Sequence, residues 1–135
     1  MKARFEIPGK GKGKERPQFG GGHAYTPKQT VEYESWVRIC YLEQCRGIYF
    51  EKGVPVAMDI DIYQKIPKSV SKKKHDAMMC GEIRPTTRPD VSNVLKSIED
   101  GLNSVAYYDD SQITELRVFR YYSDEPGVCV EIREI

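Results

Sequence analysis

The sequence predicts an α/β chain of the α+β kind: one domain over residues 1–135, with a mixed, mainly antiparallel sheet and two helices packed on one face. Three observations carry this. Val91, Val94, Leu95, Ile98, Leu102 and Val105 recur at helical spacing. Val54, Val56, Met58, Ile60 and Ile62 alternate with Ala57, Asp59, Asp61 and Tyr63 at strand spacing. Two further strand-like runs, Ile113–Tyr121 and Val128–Ile132, close the chain around a turn rich in Asp, Pro and Gly.

Taken in order, Arg4–Ile7 reads as a short first strand ended by Pro8-Gly9. Gly9–Arg16 alternates Gly with Lys, and a second glycine run follows at Gly20–Gly22. Such composition is commonly a solvated linker. Its glycines also let a basic backbone come close to phosphates, so Lys10, Lys12, Lys14 and Arg16 are candidate DNA contacts. His23 reads as a loop residue. Thr30–Arg46 is expected to be the first helix, with Tyr33, Val37, Cys40 and Tyr41 on its apolar face, Trp36 beside them and Gly47 as the stop. Tyr33 and Trp36 have the chemistry to stack on bases, but core packing is the commoner fate of aromatics at this spacing.

After the strand Val54–Tyr63, the stretch Gln64–His75 carries Lys65, Lys68, Lys72, Lys73 and Lys74. A lysine run of this kind is usually a solvated loop or a helix start; it would also serve to track phosphates. Arg84 and Arg88 add two cations just before Asp90. Pro89 suits a helix start, with Asp90 or Ser92 as its cap. Asn93, Lys96, Ser97, Asp100 and Asn103 fall opposite the apolar stripe, and Asn93, Lys96 and Asp100 form one polar row. Ile113–Tyr121 and Val128–Ile132 are expected to form an antiparallel hairpin across the turn at Ser123–Gly127, one face buried.

The unusual feature is Asp109-Asp110, adjacent carboxylates at the start of a strand. They repel unless a cation compensates. Hard divalent ions such as magnesium take oxygen ligands and need only one or two carboxylates, water and substrate completing the shell. Asp90 would add a third if its helix folds back beside them, with Lys96 near. Asp59 and Asp61, at alternate strand positions, read as solvent or interface residues, Asp61 keeping a place as a candidate if the polar face borders the site. A plain reading covers the same residues: a solvated Asp turn, a helix cap and a surface lysine. On spacing alone that plain reading leads.

Composition sets the frame. The chain has 135 residues, 39% hydrophobic and 30% charged, which argues for a globular fold over disorder. Its formal net charge of +1 leaves nucleic-acid binding to depend on a local basic face. Cys40, Cys45, Cys80 and Cys129 make no CxxC pair and no zinc spacing. With no signal peptide and no long apolar run, the expected setting is cytoplasmic, with reduced thiols and no membrane partner.

The order Asp90-x-x-Asn93-x-x-Lys96, then Asp100-x-Leu102-Asn103, then Asp109-Asp110-x-Gln112 resembles the RusA family of Holliday junction resolvases. Phe5-Glu6-Ile7-Pro8-Gly9, Arg16-Pro17, Ala24-Tyr25-Thr26-Pro27 and Tyr33-Glu34 extend the likeness over nearly the whole chain, to members from Gram-positive bacteria and phages. The resemblance implies a homodimeric endodeoxyribonuclease of recombination and repair that cuts four-way junction DNA by symmetric, paired nicks with Mg2+. Carried over by position, Asp90, Lys96, Asp109 and Asp110 would be catalytic. Asp90, Asp109 and Asp110 would hold the metal, Asn93 would orient a carboxylate and Asp100 would support from behind. Lys72, Lys73, Lys74, Arg84 and Arg88, with the Gly-Lys loop, would contact DNA. The family's second motif Asp falls on Ser92, a neutral and weaker ligand for a hard cation. That departure carries a second reading: a junction-binding protein with weak or no nuclease activity. A third, weaker one is a purely structural phage protein on the same fold.

Overall fold

The computed structural model describes residues 1–11, 18–20, 23–25 and 28–135. In chain order its elements are β1 (Lys2–Pro8), β2 (Gln18–Gly20), β3 (His23–Tyr25), α1 (Lys28–Gln44), β4 (Val56–Lys65), α2 (Lys72–Met79), α3 (Val91–Leu102), a 3-10 turn (Asp110–Gln112), β5 (Ile113–Ser123) and β6 (Gly127–Glu134). β2 and β3 form a small antiparallel ribbon. The other four strands make one sheet in the order β1-β6-β4-β5. β1 and β4 each run antiparallel to β6, and β5 runs parallel to β4. The mixed, mainly antiparallel α+β architecture is therefore present.

The expected β5–β6 hairpin is not. β4 lies between these strands, and the Ser123–Gly127 turn carries the chain across it. The cause is burial. Val56, Ala57, Met58, Ile60 and Ile62 are all buried, more apolar surface than any other strand offers, and this favours a central place for β4. β5 has no fully buried position and takes the edge.

Period-2 alternation then sorts the faces. Ala3, Phe5, Ile7, Met58, Ile60, Val128, Val130 and Ile132 point to one side, where Tyr33, Val37, Cys40 and Tyr41 of α1 and Val94, Ile98 and Leu102 of α3 close the core. Each large apolar side chain buried there is worth roughly 1.5–3 kcal/mol. Tyr33 is thus a core residue, while Trp36 stays partly exposed and donates its indole N–H to the Pro8 carbonyl at 2.9 Å. Gln44 binds both backbone groups of Glu6, at 2.7 and 2.8 Å, so side chains of α1 occupy the hydrogen-bonding edge of β1. That covers an edge otherwise open to intermolecular pairing.

One helix residue departs from the polar-face reading, and a second packs more closely than the pattern shows. Ser97 is fully buried, its hydroxyl donating to the Asn93 carbonyl at 3.3 Å. Gly101 is buried where α3 crosses α1: a Cβ there would sit 2.9 Å from the Glu34 carbonyl oxygen and 3.0 Å from the Val37 Cβ. A third, short helix joins the two expected ones. Ser71 caps α2 by accepting from the Lys74 N–H at 3.2 Å, so part of the lysine run is helical rather than loop.

Candidate functional site

α3 presents the polar row as expected. Lys96 Nζ lies 3.2 Å from Asp100 Oδ1, one turn on, and 3.3 Å from Asp110 Oδ2 at the start of β5. The ammonium therefore joins helix to strand. Its hydrogen bond to Asp100, ahead of that to Asp110, raises the Lys96 pKa and keeps it charged. Asp90 caps α3, accepting from the Asn93 N–H at 3.3 Å through one carboxylate oxygen. Asp90 and Lys96 are six residues apart, about 9 Å of helix rise. Ser92 and Asn93 are exposed in the first turn between them.

The Asp pair divides its work. Asp109 caps the 3-10 turn, and hydrogen bonding from Ser111, side chain before backbone, holds its carboxyl below the usual range. Asp110 faces Lys96. What fixes the backbone at Asp109 is Gln112, which is buried. Its two amide N–H groups are shared among the carbonyls of Phe50 (3.3 Å), Glu51 (2.7 Å) and Val54 (3.1 Å). Its amide oxygen accepts from the N–H groups of Tyr108 (2.9 Å) and Asp109 (3.0 Å). The Asp109-x-x-Gln112 spacing of a capping box was a readable signal for this role.

Glu99 is a further member that spacing did not single out. Burial pushes its carboxyl pKa up, and Asp110 adds to the rise; Lys96 opposes it and Asp100 adds again. Glu99, Asp100, Asp109 and Asp110 thus gather negative charge around one lysine. Among the described residues, no three acidic, histidine or cysteine side chains come together closely enough to hold a metal ion as they stand. The donor chemistry nevertheless fits a hard divalent cation: all the available groups are oxygens, and the crowded carboxylates gain by cation binding. Asp59 pairs with Arg117 (3.2 Å) and Arg133 (2.8 Å) on the sheet's other face, away from this site.

The predicted DNA contacts divide. Lys72, Lys73 and Lys74 are exposed on α2, which packs beside β5. Arg84 is held at the β5 edge, its Nε donating to the Arg120 carbonyl, and Arg88 is exposed just before Asp90. Lys10 borders a cleft of about 280 Å³ with Ile62, Gln64, Pro89, Val94 and Arg120, beside the start of α3. Lys12, Lys14 and Arg16 lie outside the described residues. Arg120, which spacing did not single out, ties the Asp90 loop to the sheet: it donates to Gln64 Oε1 at 2.9 Å and to the Thr87 carbonyl at 2.7 Å.

The sequence model of the family described as endodeoxyribonuclease RusA matches residues 8–133. The chain belongs to the RusA endodeoxyribonuclease family. Among its relatives, the uncharacterized protein YqaN of Bacillus subtilis (strain 168) is 51% identical over 138 residues, covering 98% of this chain and 96% of the relative. The crossover junction endodeoxyribonuclease rusA of Lactococcus phage r1t is 30% identical over 87 residues, covering 64% of this chain and 60% of that protein. No described helix is long and apolar enough to cross a membrane. The Lys96 contacts to Asp100 and Asp110 join α3 to the start of β5.

Proposed function

We propose that this RusA-family chain is a divalent-metal-dependent endodeoxyribonuclease that resolves four-way DNA junctions as a homodimer, by paired symmetric nicks, in recombination and repair. The observation that supports the reading is the bridge from Lys96 to Asp100 and Asp110, which sets two polar residues of α3 beside a carboxylate at the start of β5. The phage relative, named as a crossover junction endodeoxyribonuclease, supports the substrate.

Asp90, Asp109 and Asp110 are the residues that would hold the cation, Mg2+ being the expected one, with Ser92 offering at most a neutral hydroxyl. Lewis acidity toward the scissile phosphate and water activation are what such a cation supplies when bound. Lys96 has its own work. Anchored by Asp100, its ammonium is set to stabilise negative charge as it builds on the phosphate, and a donor preorganised in this way is commonly the largest catalytic contribution. Gln112 fixes the backbone that carries Asp109. The cleft with Lys10 and Arg120, and the α2 lysines beyond β5, supply cations for the backbone phosphates. A dimer suits a two-fold substrate, since two equivalent sites meet two equivalent strands.

One observation favours a second reading, that of a junction binder with a weakened site. Ser92 stands exposed in the first turn of α3, which holds no acidic residue. The deciding experiment is cleavage of a synthetic four-way junction and of a matched linear duplex, each with magnesium and with chelator. Paired nicks on the junction that vanish in chelator support the nuclease. Tight junction binding without nicks moves the assignment to the binder.

A further inference from the structure

The face of the sheet that α1 and α3 leave uncovered carries an aromatic ladder. Tyr63 of β4 and Tyr121 of β5 are register partners, their rings 5.7 Å apart and 25° from parallel. Phe119, two residues before Tyr121 on the same face, continues the series at 6.3 Å and 29°. Phe119 is 43% exposed and lies outside the buried core cluster. The ladder is also cationic at one end. The Arg84 guanidinium lies over the Tyr121 ring, 4.2 Å from its centroid, held there by its Nε bond to the Arg120 carbonyl. Beyond it α2 packs on the same strand with Lys72, Lys73 and Lys74 exposed. Asp61, in register with Phe119, bounds the patch on the β4 side.

An exposed ring of this size has two natural occupants, a second copy of the chain or a flat π-system. The charge decides between them. A second copy would bring the same cationic surface of Arg84, Lys72, Lys73 and Lys74 to the contact, and like charges repel unless they are offset. The same cations complement phosphates. Nucleobases stack on aromatic side chains whatever their sequence, provided they are unpaired, and the branch point, where stacking between arms is interrupted, is where a bound and distorted junction opens a pair at least cost. We propose that Phe119, backed by Tyr121 and Tyr63, is a stacking platform for an unpaired nucleobase at the branch point, with Arg84 binding the adjoining phosphate. This rests on the junction-binding reading above. It adds a contact on the opposite face of the sheet from the α3 site, joined to it by the loop from Arg84 to Asp90.

The test uses the full chain and a four-way junction with 5-iodouracil at the branch point, in chelator so that no strand is cut. Irradiation followed by peptide mapping is expected to place the adduct on Phe119 or Tyr121. Phe119→Ala should weaken junction binding about 5- to 100-fold, and Phe119→Trp should restore it. Binding to fully paired duplex should stay unchanged in both. Phe119→Leu keeps the apolar volume and separates lost stacking from a disturbed strand, with thermal unfolding as the check. Wild-type binding with adducts elsewhere and an unaffected Phe119→Ala overturns the platform while the junction reading stands. A shift of Phe119→Ala from dimer to monomer in sedimentation makes this face an interface between copies and also overturns it. Failure of the wild type to bind any branched DNA removes both readings.

Discussion

The Lys96 ammonium stands 3.3 Å from the Asp110 carboxylate, fourteen residues along the chain. An exposed ion pair of this kind contributes little to stability, so its value lies in position. Asp110→Asn is expected to reduce junction cutting about 100-fold or more, the scale of removing one preorganised charge at a reacting centre. Junction binding in a mobility shift should persist. Lys96→Ala should produce a similar loss of cutting. Wild-type cutting by Asp110→Asn would remove this residue from the site.

Ser92→Asp should act in two separable ways. The α3 helix has no acidic residue in its first turn. A carboxylate there meets the positive end of the helix dipole and should stabilise the fold by about 0.3–1 kcal/mol at low ionic strength. It also adds a hard oxygen donor two residues after Asp90, so calorimetric titration with magnesium or manganese should show tighter binding than in wild type. Tighter metal binding with a large gain in cutting marks Ser92 as the weak point of the site. Robust wild-type cutting with no gain in the variant shows that the site works without a carboxylate there.

Much of this architecture was legible because it follows from local rules. The apolar stripe of α3, the alternation of β4 and the Asp90 cap are written in spacings of three or four, of two, and of single residues. The polar row of Lys96 and Asp100 followed in the same way. Strand order was not legible. That β4 separates β5 from β6 depends on comparing how much apolar surface each strand buries, and adjacent strand runs joined by a turn look like a hairpin whichever partner they choose. Ser97 and Gly101 were missed as well. The burial of Gly101 arises from the close crossing of α1 over α3, a property of two helices that neither pattern contains alone. Of the candidate site, Lys96 with Asp100 and Asp110 could be placed from the motif. The crowding at Glu99 and the five backbone partners of Gln112 required the tertiary path of the loop after α3.

The α1–α3 crossing gives a stability prediction. A methyl at Gly101 would stand 2.9 Å from the Glu34 carbonyl oxygen, which is backbone and has little room to move. Alanine gains about 1 kcal/mol of helix propensity over glycine, while overpacking typically costs 1–3 kcal/mol. Gly101→Ala should therefore be net destabilising by up to about 2 kcal/mol, and Gly101→Val by more, in urea unfolding. A more stable Gly101→Ala would mean that the two helices separate readily.

Gln112→Ala should cost more than an ordinary polar truncation. It would leave the carbonyls of Phe50, Glu51 and Val54 and the N–H groups of Tyr108 and Asp109 without this partner. Each buried group left unsatisfied costs about 1–3 kcal/mol, less where water enters. A loss of about 2–4 kcal/mol in denaturant unfolding is expected. Cutting should also fall under conditions where the variant is still folded, since Asp109 loses its fixed backbone. Gln112→Glu keeps the shape but has no N–H donors, so it should not rescue either effect.

His75 supplies a pH dependence away from the site. Its Nε2 lies 2.6 Å from Asp124 Oδ1, and this bond ties α2 to the turn between β5 and β6. The hydrogen bond to Asp124, with Asp76 contributing at 3.8 Å, holds the imidazole above its usual value of about 6.5, against a smaller opposing effect of desolvation. A folded value above the unfolded one means that the folded chain binds the proton more tightly. The stabilising contribution is therefore complete below about pH 6.5 and is lost as pH rises through the folded value. NMR titration of the His75 ring should show the raised midpoint, and Asp124→Asn should lower it toward the usual range. Hydrogen exchange at the α2 amides should quicken in wild type across that interval, after correction for the intrinsic rate, and Asp124→Asn should flatten the change. An unshifted His75 midpoint in Asp124→Asn would mean that Asp124 does not hold the proton on the ring.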